Sequence, residues 1–225
     1  MDVIAIAIDG PAGAGKSTIS KLTAQRLNLI YVDTGAMFRA VAYYFILNNI
    51  DYEKEENLNK YIDFINIELR YFGSMQRICL NGKDVTMDLR NEEISNATPS
   101  VAKNQKIRKK LLDIQRDIAS KNNVVMDGRD IGTCVLPDAK LKIFLVASAE
   151  ERANRRFRQL IRRGKVVDYF EILDNIKKRD EQDMTREIAP LKAAEDAMTV
   201  ESTHMTVEQV VKFIVTLAKA KFELN

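Results

Sequence analysis

Among its 225 residues the chain carries one histidine, His204, and two cysteines, Cys79 and Cys134. A single imidazole excludes a multi-histidine metal centre, leaves little room for zinc chemistry and permits at most one Ser-His-Asp arrangement. The cysteines are far apart and form no C-x-x-C, so neither a redox pair nor a disulfide framework is expected; both read as reduced, packed thiols. No apolar run approaches the roughly 20 residues needed to span a bilayer. The chain opens on a strand-like stretch instead of a basic and then apolar signal segment. These absences lead to the expectation of a cytoplasmic protein without a membrane partner.

The composition is that of one or two soluble domains with a real core, 46% hydrophobic and 30% charged. The net charge of +3 is unevenly laid out, since residues 151–165 hold seven Lys/Arg and one Glu while the rest of the chain is net acidic. Concentrated positive charge suits a local site for an anion better than a surface that coats nucleic acid, so no nucleic-acid partner is expected.

The apolar pattern sets out a parallel α/β architecture. Residues 3–8 (VIAIAI) read as a buried strand followed by a glycine-rich turn, and residues 16–27 take helical spacing through Ile19, Leu22, Thr23, Arg26 and Leu27. A short strand over 29–32 and a helix over 37–47 repeat the β-α unit. Three short strands follow over 67–71, 77–80 and 83–85, the last two joined by Asn81-Gly82, a dipeptide suited to a type I′ hairpin. They predict a small antiparallel insert. Beyond it, a helix is predicted over 102–119, strands over 124–127, 141–147 and 197–200, and helices over 150–163, 169–184 and 207–221.

Gly10-Pro11-Ala12-Gly13-Ala14-Gly15-Lys16-Ser17 satisfies G-x-x-x-x-G-K-S/T, directly after a strand and opening a helix. In that setting backbone N–H groups and the helix N-terminus, extended to Thr18, cradle phosphates; Lys16 reaches the β/γ-phosphates and Ser17 ligates Mg²⁺. ATP is the expected donor and Mg²⁺ the expected cofactor. No N-K-x-D tetrapeptide is present to read guanine, which argues against a GTPase. A motor ATPase would need a longer core. Arg39, Arg129, Arg179 and Arg186 lie near predicted strand ends or helix faces. Arg179, Asp183 and Arg186 share one face if the helix continues that far. Asp127, at the tip of a buried strand, suits Mg²⁺ through water. Arg152 and Arg156 are four apart, a spacing that lets one guanidinium stack on adenine and the other meet phosphate. Arg155 and Arg158 fall off that face and read as solvent-facing.

IDGPAGAGKST (8–18), YVDTGAMFR (31–39), VVMDGRDIGT (124–133), KIFLVASAEERANRR (142–156) and KKRDEQDMTREIAPLKAAEDA (177–197) stand in order along the chain. On these segments, which cover nearly its whole length, the sequence resembles the bacterial cytidylate kinases, a branch of the nucleoside monophosphate kinases. The resemblance implies a P-loop kinase fold: a three-layer α/β/α domain over 1–225 with a five-stranded parallel sheet, a small antiparallel β insert and a helical lid. The core would comprise about 1–33, 101–150 and 168–225, the monophosphate-binding region about 34–100 and the lid about 151–167.

The resemblance also implies transfer of the γ-phosphoryl group of ATP to CMP or dCMP; a monomer is the expected state, although no sequence feature specifies it. Carried over, Thr34, Arg39, Arg129 and Arg186 would hold the acceptor phosphate. Arg179 and Asp183 would contact the sugar and its surroundings, and Arg108 with Asp130 would read the cytosine edge. Lys16, Arg129, Arg186, Asp127 and Arg156 would form the catalytic set. The sequence departs from the family at Pro99, where a serine usually helps to recognise cytosine, and at Phe38, where tyrosine is common. UMP or AMP therefore stays open as an alternative acceptor, and a non-catalytic nucleotide-dependent binding module as a further one.

Overall fold

The computed structural model describes residues 3–72 and 75–224. In chain order the larger elements are β1 (Ala5–Asp9), α1 (Lys16–Leu27), β2 (Ile30–Asp33), α2 (Thr34–Leu47), α3 (Glu55–Tyr61), β3 (Ile67–Phe72), β4 (Met75–Leu80), β5 (Lys83–Asp84), α4 (Glu92–Lys103) and α5 (Gln105–Lys121). They continue with β6 (Val124–Gly128), β7 (Leu141–Val146), α6 (Ala149–Arg162), α7 (Tyr169–Thr185), β8 (Met198–Glu201) and α8 (Val207–Phe222). A π-helical turn, Ile131–Val135, follows β6.

Five strands form a parallel sheet in the order β2-β6-β1-β7-β8. The alternation of β1 explains why both faces are covered. Ile6 and Ile8 pack into the cluster formed with α1 and α8, whereas Ala7 joins Val32, Met126, Ala119 and Ile131 on the other face. The chain leaves β1 through α1 and returns to β2, skipping the position that β6 later fills. This change of direction opens a crevice at the carboxyl ends of the strands. Pairing aligns those ends, with Asp9 opposite Gly128 and Asp33 opposite Asp127.

The insert is a β3-β4-β5 antiparallel sheet whose hairpin has Asn81 and Gly82 at φ 49° and 83°, both positive as a type I′ turn requires. Its apolar side shares a core with α2, α4 and α5 through Phe45, Ile78, Leu80, Ile94, Val101 and Ile107. Among the described residues no helix is long and apolar enough to cross a membrane.

Residues 92–121 depart from expectation. The single helix predicted over 102–119 is two helices, α4 and α5, broken at Asn104. Asn104 leaves helical geometry, and its side-chain oxygen accepts from Ile107 N (3.0 Å) while its amide donates to Asn59 Oδ1 (3.0 Å). Loss of such a cap costs about 1 kcal/mol, so Asn104→Ala should lower the urea unfolding midpoint correspondingly without changing the slope. α3 was not foreseen, and the greater part of α4 is hidden in the sequence by Pro99 inside it.

Candidate active site

The loop after β1 turns so tightly that Gly10 has φ 147° and a Cβ there would lie 2.0 Å from the Leu145 carbonyl oxygen on β7. No other residue fits. Gly15 precedes α1 with no side-chain cap, and no acidic residue stands in the first turn, so the first N–H groups of α1 are left for an anion. Lys16 is buried beside them and donates to Pro11 O (2.8 Å). Burial pulls its pKa down, aided by the nearby Arg129 charge and opposed by Asp127 and Asp9.

The adjacent strand ends supply the carboxylates. Ser17 Oγ donates to Asp127 Oδ2 (3.0 Å), while Asp127 Oδ1 is buried without a hydrogen-bond partner. Burial raises the Asp127 pKa, and Asp33 beside it adds to the effect. Thr34 Oγ1 donates to the Asp127 carbonyl (2.8 Å), and Asp33 both caps α2 and pairs with Arg39 (2.9 Å). Asp9 accepts from Ile131 N (2.8 Å) and Gly132 N (2.7 Å), which fixes the π-helical turn below Asp130; burial raises its pKa to about 6.

A cavity of about 360 Å³ runs from Gly13, Lys16 and Ser17 to Thr34, Phe38, Arg39, Thr98, Pro99 and Arg108. Arg129, Asp130, Arg179, Asp183 and Arg186 complete its wall. Arg129 Nε donates to Asp183 (2.8 Å). Burial works against the Asp183 carboxylate, yet the Arg129 guanidinium holds its pKa below the ordinary value. Arg186 donates to Ala189 O (2.6 Å) and to Asp130 (3.3 Å), and Asp130 also pairs with Arg108, over which the Phe38 ring lies. Arg179 Nε is buried with no hydrogen-bond partner. An arginine-rich cavity with one donor unanswered, opening onto an uncapped phosphate loop, is built for two phosphorylated ligands side by side.

The family model described as cytidylate kinase matches residues 6–220. The chain belongs to the cytidylate kinase family. It is 50% identical over 217 residues to a cytidylate kinase of Caldicellulosiruptor saccharolyticus, covering 96% of each chain. To that of Bacillus subtilis it is 43% identical over 218 residues, covering 97% of each. A solved structure of an uncharacterized protein from Eubacterium ventriosum shares the fold, with a TM-score of 0.53 at 16% identity over 97% of this chain and 99% of the other.

In this member of the cytidylate kinase family the acceptor-side residues named from sequence, from Thr34 to Arg186, line one cavity. Arg179, Asp183 and Arg186 do so by a different route from the one expected. α7 ends at Thr185, and Arg186 reaches the cavity from an extended residue instead of a helix face. The donor-side arginines diverge. Arg152 is only 4% exposed and turns under the phosphate loop, donating to Ala12 O (2.9 Å), to Ala147 O (2.9 Å) and to both Asp180 oxygens (3.0 and 2.5 Å). Arg156 is absent from that cavity's wall; it lines an adjoining cleft that shares Ser17, Thr18, Asp33 and Arg39 with the cavity, and it pairs with Glu92 (3.2 Å), which also accepts from Lys165 (2.6 Å). Arg155, read from sequence as solvent-facing, is half-buried; it pairs with Glu151 (2.9 Å) and donates to Ser202 O (3.0 Å). His204 is exposed in the turn after β8. Asp9, Asp33, Asp180 and Glu92 were missed. Only Asp9 and Asp33 carried a signal, each being the first polar residue after a buried strand.

Proposed function

We propose that the protein transfers the γ-phosphoryl group of ATP to CMP or dCMP, giving CDP or dCDP and ADP. The carrying observation is the single cavity in which the uncapped phosphate loop faces Arg39, Arg129, Arg179 and Arg186, with the Arg108–Asp130 pair in the same wall. The acceptor oxygen needs no general base, because a phosphate monoester with a second pKa of about 6 is largely ionised at pH 7. The task is to hold two polyanions together, in line and away from water. Lys16 and the N–H groups of α1 receive the donor phosphates. Arg39, Arg129 and Arg186, with Thr34, receive the acceptor phosphate, their orientations fixed by Asp33, Asp183 and Asp130.

Among the described residues no group of three or more His, Cys, Asp and Glu could hold a metal ion alone. Ser17 Oγ and the unpartnered Asp127 Oδ1 are hard oxygen donors of the kind that hold Mg²⁺ jointly with substrate phosphates and water. When bound there, Mg²⁺ would neutralise charge on the transferring phosphoryl group.

Residues 151–167 serve in this reading as the lid, and 34–100 as the monophosphate-binding region. The Arg156–Glu92–Lys165 bridge joins the two across the cleft. With ATP and Mg²⁺, kcat/KM should be highest for CMP and dCMP and at least about tenfold lower for UMP and AMP. A coupled ADP-release assay over these four acceptors checks this. UMP or AMP as the best acceptor would overturn the assignment.

A further inference from the structure

The α4 wall of the acceptor cavity is Thr98, Pro99 and Ala102, with Phe38, Arg108 and Asp130 among the other lining residues. Thr98 is 8% exposed, and its hydroxyl donates to Ile94 O one helical turn back, at 2.6 Å. A hydroxyl has one proton and two lone pairs. With the proton held by a carbonyl inside the fold, Thr98 Oγ1 can only accept from a ligand, and turning the proton outward would give up that short bond in a buried site.

The neighbouring residues do not offset this. Pro99 has neither hydroxyl nor N–H. The Ser100 hydroxyl is turned away and donates to Glu53 (2.8 Å). Asp130 is engaged by Arg108 and Arg186. In the wall that α4 gives to the cavity, the one side-chain polar atom is therefore committed to accepting.

We infer that Thr98 is a specificity-determining residue of the acceptor site, an acceptor-only hydroxyl that favours a pyrimidine with a 4-amino group over one with a 4-carbonyl. The inference rests on the reading of this cavity as the acceptor site. A cytosine amino group donates to Oγ1, whereas the uracil carbonyl sets two acceptors against each other beside a side chain that is only 8% exposed.

The test is kcat/KM for CMP and for UMP in the wild type, Thr98→Val and Thr98→Ser. Valine keeps the shape and removes the acceptor; serine keeps the acceptor and removes the methyl. Thr98→Val is expected to lower kcat/KM for CMP about tenfold and leave that for UMP unchanged or raised. Thr98→Ser is expected to keep the wild-type CMP-to-UMP ratio within about twofold. The ratio does not depend on how much of each variant is folded. A Thr98→Val enzyme with the wild-type ratio, or a Thr98→Ser enzyme that loses it, would overturn the role of Thr98 while leaving CMP phosphorylation intact. A wild type inactive on every pyrimidine monophosphate would instead overturn the reading of the site itself.

Discussion

Lys16→Ala is expected to lower kcat for phosphoryl transfer at least about a hundredfold, the loss that follows removal of one oriented donor to a developing oxyanion. The size comes from the setting. Lys16 is 6% exposed, and its ammonium donates to Pro11 O at 2.8 Å. Burial disfavours the charged form, so the ammonium is held in a place where only an arriving anion satisfies it fully. Arginine should not rescue the loss, because a planar fork does not fit a loop closed around a compact point charge. Binding of CMP alone should change little, since in the proposed reading the acceptor phosphate is held by Arg39 of α2, Arg129 after β6 and Arg186 just after α7. Steady-state rates and CMP titration of the variant measure both halves. Near-wild-type turnover would sink the assignment of Lys16.

The phosphate loop was legible because its chemistry is local: glycine conformation, one lysine and one hydroxyl within eight residues. The parallel sheet was legible for a similar reason, since its buried strands open on short apolar runs, such as residues 124–126 of β6, before the polar residue at the strand tip. α4 was not. Pro99 breaks the helical pattern in sequence, yet the helix stands because Ile94, Ala97 and Val101 bury against α2 and the insert, and tertiary packing overrides propensity. The acceptor arginines could be named but not placed, since Arg129 and Arg186 owe their positions to carboxylates 54 and 56 residues away. The same limit applied to Arg152. Its spacing from Arg156 suggested a shared ligand, whereas the carboxylate of Asp180, in another helix, turns it beneath the loop.

Arg179→Met should separate binding from stability. It is expected to raise KM for CMP about a hundredfold, with KM for ATP nearly unchanged, because it removes a desolvated charge contact to the acceptor. Its effect on folding should have the opposite sign. Burial, together with the Arg129 charge, lowers the Arg179 pKa to about 10, and Asp183 offsets this only in part. At pH 7 the guanidinium is charged in both the folded and unfolded chain, so the cost of burying it is fully present and eases only as pH rises through and above that value. Its Nε meanwhile has no hydrogen-bond partner. A methionine of similar length removes the only partly compensated charge and keeps the packing, so Tm should hold or rise by about 2–4 °C. The rise in Tm that CMP gives the wild type should be largely lost in the variant at the same CMP concentration. A side chain that weakens the empty fold and strengthens the complex is retained for its ligand. If Arg179→Met instead lowered Tm by several degrees and left KM for CMP unchanged, Arg179 would be a structural residue of the cavity wall, and it would make no contact with the acceptor.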